Sequence, residues 1–171
     1  IEMTDESVLC KGGIERIGLS GFNSENVKHE GVHGEVKIRA ELADHTEAFN
    51  LLMKLLTDKK YGVIDSVSEI AAVGHRFVHS GTGGSAPCLL DDAKLDSLYA
   101  DRDLDPLQMP ANVSGVRSCM KVMPGVPNVG VFDTYFHSTM PPRAYMYGVA
   151  YEDYEKYHVR KYGFHGASHR Y

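Results

Sequence analysis

The chain has 171 residues and a formal net charge of −5, with 43% hydrophobic and 24% charged residues. Its length suits one domain, or one domain with an appendage, and its composition is ordinary for a globular protein. The sequence has no basic stripe of the kind that binds nucleic acid, and no apolar run near the ~20 residues that cross a bilayer. We therefore expect neither a nucleic acid nor a membrane as a partner.

The three cysteines and the N-terminal residues indicate in which cellular compartment the protein is expected. Cys10, Cys88 and Cys119 are odd in number and widely spaced, so they form neither a metal-type pair nor a disulfide framework. We expect three reduced thiols in a cytoplasmic protein. Residues 1–6 are acidic, begin without methionine and lack the basic and apolar regions of a signal peptide. We expect the chain to start inside a longer protein.

The first predicted elements are two strands and a helix. Polar and apolar residues alternate over residues 8–17 and 35–42, which predicts strands there. The glycines and asparagines of residues 20–33 predict a loop between them. Asp44 is expected to cap a helix, and Glu47 completes a capping-box pattern.

The rest of the chain alternates strands with helices, which indicates an α/β fold. The predicted elements are, in order, a strand at residues 70–78, helices at 91–98 and 111–122, a strand at 126–132 and a helix at 151–158. Residues 82–87 are predicted to form a mobile loop. Residues 159–164 are predicted to extend toward a glycine-flanked turn.

A candidate binding surface lies on the strand at residues 70–78. Side chains alternate across a strand, so Arg76 and Val78 share one face while Phe77 points to the other. This pair suits a short aliphatic carboxylate, because a guanidinium binds the carboxylate in a bidentate pair and an apolar neighbour contacts the alkyl tail. The alternative is that Arg76 lies at a strand edge and pairs with a nearby aspartate.

Two further side chains are candidates for phosphate chemistry. Asp133 ends an apolar strand, where a carboxylate can position a metal-bound phosphate or a nucleophile; its alternative role is to cap the next segment of the chain. His165 lies in a glycine-flanked turn at residues 163–169 that brings backbone amides near an anion, and its ring can donate to phosphoryl oxygens. His165 and His169 have the spacing of a zinc pair, but without a clear third ligand two hydrogen-bonded histidines are favoured.

Taken together, these segments resemble the acetate kinases of the acetokinase family over most of the chain, and least closely at residues 20–35. The matching strings are residues 73–79, 110–112, 131–134, 136–141, 154–157 and 160–171. The resemblance implies an α/β domain of the ribonuclease H-like type found in the sugar kinase, Hsp70 and actin group. It also implies that residues 1–171 are an N-terminal acetokinase domain, with the first strand and the second, nucleotide-binding domain missing.

The resemblance implies a reversible, Mg²⁺-dependent (or Mn²⁺-dependent) transfer of the γ-phosphoryl group of ATP to acetate, which gives acetyl phosphate and ADP. It further implies a cytoplasmic enzyme that is a homodimer at full length. In-line transfer of this kind needs positioning and charge neutralisation more than covalent help. The missing parts hold an Asn-x-Gly-Ser-Ser-Ser turn and most of the nucleotide pocket. We therefore expect no cofactor-binding or metal-binding residue within this chain, and no activity from it alone.

The resemblance also assigns roles to individual residues. Arg76 matches the arginine that holds the acetate carboxylate and the transferring phosphoryl group. Asp133 matches the catalytic acidic residue near the metal. His165 matches the histidine that stabilises the transition state. The family lines its methyl pocket at three positions, which here are Val78, Leu107 and Phe164.

Departures from the family pattern leave the acceptor open. Residues 106–110 read Pro-Leu-Gln-Met-Pro where the family has Pro-Leu-His-Asn-Pro, and Gln108 donates a hydrogen bond but has no positive charge. Ser80 stands where the family has glycine. Propionate or butyrate kinase is therefore the alternative within the enzyme class. Outside that class, the alternative is a domain that binds a small anion or a partner without catalysis.

Overall fold

The computed structural model describes residues 1–81 and 86–171, which form two compact units. The first unit comprises Ile1–Ala71 and Arg117–Val126, and the second comprises Ala72–Val116 and Pro127–Tyr171. Within the described residues, no helix is both long enough and apolar enough to cross a membrane. Most of the mobile loop predicted at residues 82–87 lies outside the described residues.

An antiparallel sheet forms the centre of the first unit. Its strands are β1 (Cys10–Ile14), β2 (Val27–Gly31) and β3 (Gly34–Ile38), in the spatial order β1-β2-β3. β2 lies inside the loop predicted at residues 20–33, so that prediction was wrong. The surrounding glycines and asparagines hid a short strand in which Val27 and His29 are buried on either side of an exposed lysine.

Helix α1 (His45–Leu56) begins at the predicted cap. The Asp44 carboxylate accepts a hydrogen bond from the Glu47 N–H at 2.9 Å, and the Glu47 carboxylate accepts one from the Ala43 N–H at 2.7 Å. The Asp44 bond satisfies an amide that the first turn of a helix leaves without a partner, and it confirms the predicted cap. The Glu47 carboxylate binds the N–H of the residue before the cap, whereas a capping box would bind that of Asp44 itself. A buried apolar cluster of this unit comprises Val27, Leu42 and Ala48.

The second unit is built on a mixed sheet of spatial order β4-β6-β5, in which β4 and β6 are parallel. Its strands are β4 (Val73–Phe77), β5 (Cys88–Leu89) and β6 (Asn128–Phe132). Its helices are α2 (Asp92–Ala100), α4 (Pro142–Tyr145), α5 (Tyr151–Tyr157) and α6 (Gly166–Arg170), and α3 (Met109–Val122) has residues in both units. β5 and α4 were not predicted, because segments of two and four residues show no periodicity. The predicted α/β class is confirmed.

The ends of β4 and β6 meet at one edge of this sheet because the two strands run parallel and in register. Phe77 pairs with Phe132 at the last position of both strands, and their buried rings lie 5.6 Å apart between centroids. The Asp133 N–H continues the ladder by donating to the Phe77 C=O at 3.0 Å. Residues directly after these strands therefore lie at the kind of edge where α/β folds bind ligands.

Replacing a fully buried leucine tests this packing. Leu95 of α2 is 0% exposed, whereas Leu89 of β5 is 69% exposed. We expect Leu95→Ala to lower the free energy of unfolding by about 2–5 kcal/mol, because it leaves a cavity, and Leu89→Ala to change it by less than ~0.5 kcal/mol. Urea unfolding monitored by circular dichroism measures both variants. Similar losses in the two would contradict the core described here.

Candidate active site

Arg76 and Asp133 meet at the edge where β4 and β6 end. In the parallel register Arg76 lies opposite Val131, and Asp133 comes two residues after Val131 on the same face of the sheet. The Arg76 Nε donates to Asp133 Oδ1 at 3.0 Å, and Nη2 donates to Oδ2 at 2.5 Å. The two side chains therefore form a bidentate ion pair, which is stronger and more directional than a single contact.

This pair joins a buried anion to an exposed cation. The Asp133 side chain is 4% exposed and the Arg76 side chain is 64% exposed. The hydrogen bonds from Arg76 to Asp133, and then the charge of Asp133, raise the pKa of Arg76 above its usual value, so the guanidinium stays charged. The pairing with a nearby aspartate that was the alternative for Arg76 is thus observed, and its partner is the other candidate residue.

The turn that contains His165 is attached to the main chain of Asp133. The Gly166 N–H donates to the Asp133 C=O at 2.9 Å, and Gly166 is buried there. A Cβ on Gly166 would lie 2.3 Å from that oxygen, so only glycine fits. The prediction that backbone amides of this turn face an anion is therefore wrong for Gly166, because its N–H is already donated. His165 itself is exposed and occupies the N-cap position of α6, where its side chain makes no capping hydrogen bond.

His137 holds the residues that precede His165. Its Nε2 donates to the Phe164 C=O at 3.0 Å. Gly163 has a φ of +75°, and a Cβ there would lie 2.4 Å from the His137 ring, so both backbone and space require glycine. The sequence analysis gave His137 no role, although it belongs to one of the matching strings. The contact with Phe164 spans 27 residues, so the only available signal was the position of His137 shortly after Asp133.

The three residues expected to line a methyl pocket differ in their surroundings. Val78 lies directly after β4 and is half-buried. Phe164 is 45% exposed in the His165 turn, whereas Leu107 is 86% exposed on the turn before α3. The structure thus brings the charged candidates to one sheet edge but leaves the Leu107 side chain in solvent. The pocket remains a prediction.

His79, two residues after β4, is buried, and only one of its two ring nitrogens has a hydrogen-bond partner among the described residues. Its Nδ1 accepts the Gly81 N–H at 2.9 Å, so the neutral ring has its hydrogen on Nε2. Among the described residues, neither His79 Nε2 nor Asp105 Oδ2 has a hydrogen-bond partner. Burial lowers the pKa of His79, and the charges of Asp105 and Asp101 oppose that shift. The net lowering keeps His79 neutral near pH 7.

The histidine at the far end of α6 lies in an aromatic cluster. The His169 ring stacks on the Phe136 ring with centroids 5.9 Å apart, and it meets the His137 ring edge-on at 5.4 Å. Across residues 1–81 and 86–171, no group of three or more His, Cys, Asp or Glu side chains is placed to hold a metal ion. His169 therefore contributes packing next to His137.

Comparisons with known proteins agree with one another. The family model described as the Acetokinase family matches residues 1–171. The chain is 51% identical to the acetate kinase of Thermotoga maritima and 48% identical to that of Finegoldia magna, each over 171 residues. These alignments cover 100% and 99% of the chain but 42% of each relative. The chain thus spans about two fifths of the length of these curated relatives.

Solved structures show the same similarity. The crystal structure of Porphyromonas gingivalis acetate kinase matches with a TM-score of 0.92 and 41% identity, and that of a propionate kinase from Francisella tularensis with a TM-score of 0.85 and 33% identity. Each match covers 100% of this chain and 42% of the solved chain. The α/β arrangement of this chain is therefore similar to that of acetate kinase structures.

The burial of His79 and its lowered pKa predict how the free energy of unfolding depends on pH. Its pKa is lowered in the folded protein, so below about pH 6.5 the unfolded chain binds a proton that the folded chain does not. Stability should therefore fall as the pH drops below about 6.5, by about 1.4 kcal/mol for each unit of pKa lowering. His79→Asn keeps an acceptor for the Gly81 N–H but does not titrate. Urea unfolding at about pH 7.5 and about pH 5.5 measures how much unfolding free energy is lost on acidification. The loss should be smaller in His79→Asn than in the wild type, and equal losses would refute a lowered pKa at His79.

Proposed function

The chain belongs to the acetokinase family, and we propose that the protein containing it reversibly transfers the γ-phosphoryl group of ATP to acetate. The observation that supports this most directly is the sheet edge where Arg76, Asp133 and the His165 turn come together. Phosphoryl transfer needs cationic and hydrogen-bonding groups around the moving group, with little covalent help from the protein.

Arg76 is proposed to bind the acceptor carboxylate and the transferring phosphoryl group. Asp133 takes the Nε–Nη2 edge of the guanidinium, so the Nη1–Nη2 edge can offer parallel N–H groups to a planar carboxylate. Because the buried Asp133 fixes the guanidinium plane, Arg76 does not have to reorganise when charge develops on the substrate. Preorganised charges of this kind contribute most to transition-state stabilisation.

His165 is proposed to donate a hydrogen bond to the phosphoryl oxygens as they gain charge. Its side chain is exposed, and the main chain beside it is held by the 2.9 Å bond from Gly166 to Asp133. An exposed ring on a fixed backbone suits a donor that has to reach a substrate. The proposed contacts of the acetate methyl group are Val78, Leu107 and Phe164. Leu107 needs a surface supplied by the substrate or by another part of the protein.

Mg²⁺ (or Mn²⁺) is proposed to enter with ATP and to neutralise charge on its phosphates. Mg²⁺ prefers oxygen ligands and is commonly held by one or two carboxylates, by water and by substrate phosphates. The Asp133 carboxylate is an oxygen ligand of that type, but it is buried and both of its oxygens accept from Arg76. We therefore place no Mg²⁺ ligand on this chain, whose described residues contain no cluster of three potential ligands.

The proposal extends to the whole protein. We propose a ribonuclease H-like fold of the sugar kinase, Hsp70 and actin group, with residues 1–171 as an N-terminal domain of a homodimer. Similarity to a solved acetate kinase at a TM-score of 0.92 supports that fold. The cytoplasm is the proposed compartment, which agrees with free thiols at Cys10, Cys88 and Cys119.

Propionate is the second candidate acceptor. The likeness to a propionate kinase supports it. Leu107 is 86% exposed, so its side chain does not close the proposed tail pocket. Rates with acetate and propionate on the full-length protein decide between the two acids.

Removing the guanidinium tests the proposed reaction. We expect Arg76→Ala in the full-length protein to lose about 2–4 kcal/mol of transition-state stabilisation, or about 30- to 1,000-fold in kcat/KM, because a preorganised cation is lost. Arg39→Ala is the matched control, since Arg39 is exposed and pairs with Glu41 at 2.9 Å. Circular dichroism must show that both variants fold before their rates are compared, because Arg76→Ala leaves the buried Asp133 carboxylate without its partner. Turnover like the wild type in Arg76→Ala would exclude Arg76 from the mechanism.

Shortening Val78 tests the methyl pocket. We expect Val78→Ala to make room for a longer tail and to raise the propionate-to-acetate ratio of kcat/KM by up to about 10-fold, the scale for one methylene in an apolar pocket. Val32→Ala is the control, because Val32 is 68% exposed in the turn between β2 and β3. An unchanged ratio in Val78→Ala would count against the pocket.

A further inference from the structure

We propose that His137 is a positioning residue for His165, an inference that rests on the proposed function. The His137 Nε2 donates to the Phe164 C=O at 3.0 Å, which fixes the peptide immediately before His165. A carbonyl oxygen can only accept, so Nε2 carries the hydrogen in the neutral and in the charged ring. His137 thus acts on the backbone from which the His165 side chain extends.

His165 has to be held because its backbone is left-handed. Its φ of 54° and ψ of 33° define a conformation that residues other than glycine rarely adopt. The chain is fixed on both sides, at Phe164 by the His137 donor and at Gly166 by the Asp133 carbonyl at 2.9 Å. Without one of these contacts, that side of the turn can relax toward ordinary backbone geometry. The His165 ring would then point in a different direction.

Both contacts come from one short segment, residues 133–137. Asp133 begins it, with its carboxylate on Arg76, and His137 ends the short 3-10 turn after it. The His137 N–H donates to the Thr134 C=O at 3.1 Å, which closes that turn. The guanidinium and the imidazole proposed to act on one phosphoryl group are thus both placed by this segment.

The aromatic ring of His137 and its Nε2–H donor can be removed one at a time by different substitutions. The ring meets the Phe136 ring edge-on at 5.2 Å and the His169 ring at 5.4 Å, and it occupies the space where Gly163 would have a Cβ. Phenylalanine at position 137 keeps a ring and removes the donor. Glutamine removes the ring and keeps an N–H near the position of Nε2.

The test measures kcat and the KM for acetate in the full-length protein at saturating MgATP. We expect H137F to lower kcat about 10- to 100-fold, the scale for a catalytic group displaced by about 1 Å, and to change KM by less than ~3-fold. We expect the kcat of H137Q to exceed that of H137F by about 5-fold or more, because the donor is restored. A wild-type kcat for H137F, or no gain in H137Q, would overturn the inference.

A double-mutant cycle distinguishes positioning of His165 from a general effect. In an H165A background, H137F should lower kcat by less than about 2-fold, because the group that it misplaces is already absent. Losses that multiply would overturn the inference. If H165A lowers kcat and H137F does not, the inference about His137 fails while the proposed function stands. Wild-type turnover in H165A would remove His165 from the proposed function and the inference with it.

A matched pair covers the case in which H137F does not fold, as judged by circular dichroism. H137Q and H137N both lack the ring, and only glutamine is long enough to bring an N–H to the Phe164 carbonyl. A higher kcat in H137Q than in H137N supports the inference. Equal values in two folded variants would overturn it.

Discussion

The bidentate pair between Arg76 and Asp133 is the contact on which the rest of the candidate site depends. It forms because β4 and β6 run parallel and in register, which brings residues 57 positions apart onto one face of the sheet. A buried carboxylate without its partner is strongly destabilising, so the position of Asp133 is tied to that of the guanidinium. The main-chain carbonyl of Asp133 then binds Gly166 and thereby the turn of His165. One residue thus connects three distant segments of the chain.

Stability alone explains this pair poorly. Desolvation of a buried charge roughly offsets the attraction to its partner, and apolar side chains at the same positions would stabilise the sheet edge about as well. Arg76 is also largely exposed, and ion pairs in contact with water contribute little to folding. The arrangement does provide a cation of fixed orientation with one edge open to solvent. Such a cation is useful for binding an anionic substrate, and an imidazole on a neighbouring turn is useful for transferring a phosphoryl group.

Local patterns predicted much of the fold, and the failures have physical causes. An apolar segment predicted β4 and a capping pattern predicted α1, because both depend on residues close in sequence. β2 was missed because its strand character comes from hydrogen bonds to β1 and β3 on either side, and not from its composition. The partner of Arg76 depends on strand register, and the contact of His137 with Phe164 depends on how 27 residues fold back. Neither contact leaves a periodic signal in the sequence.

The glycine-flanked turn was predicted to be part of the site, and the structure gives its two glycines a different role from the predicted one. Glycines around a histidine predicted a turn whose amides face an anion. Gly163 instead lies against the His137 ring and Gly166 against the Asp133 carbonyl, so the lack of space at both positions requires glycine. The Gly166 N–H is donated within the protein and is not available to a phosphate. Gly166 therefore offers no amide to a phosphate, and the group of this turn that we propose to act in phosphoryl transfer is the exposed His165 side chain. Its direction depends on the backbone that Gly163 and Gly166 allow.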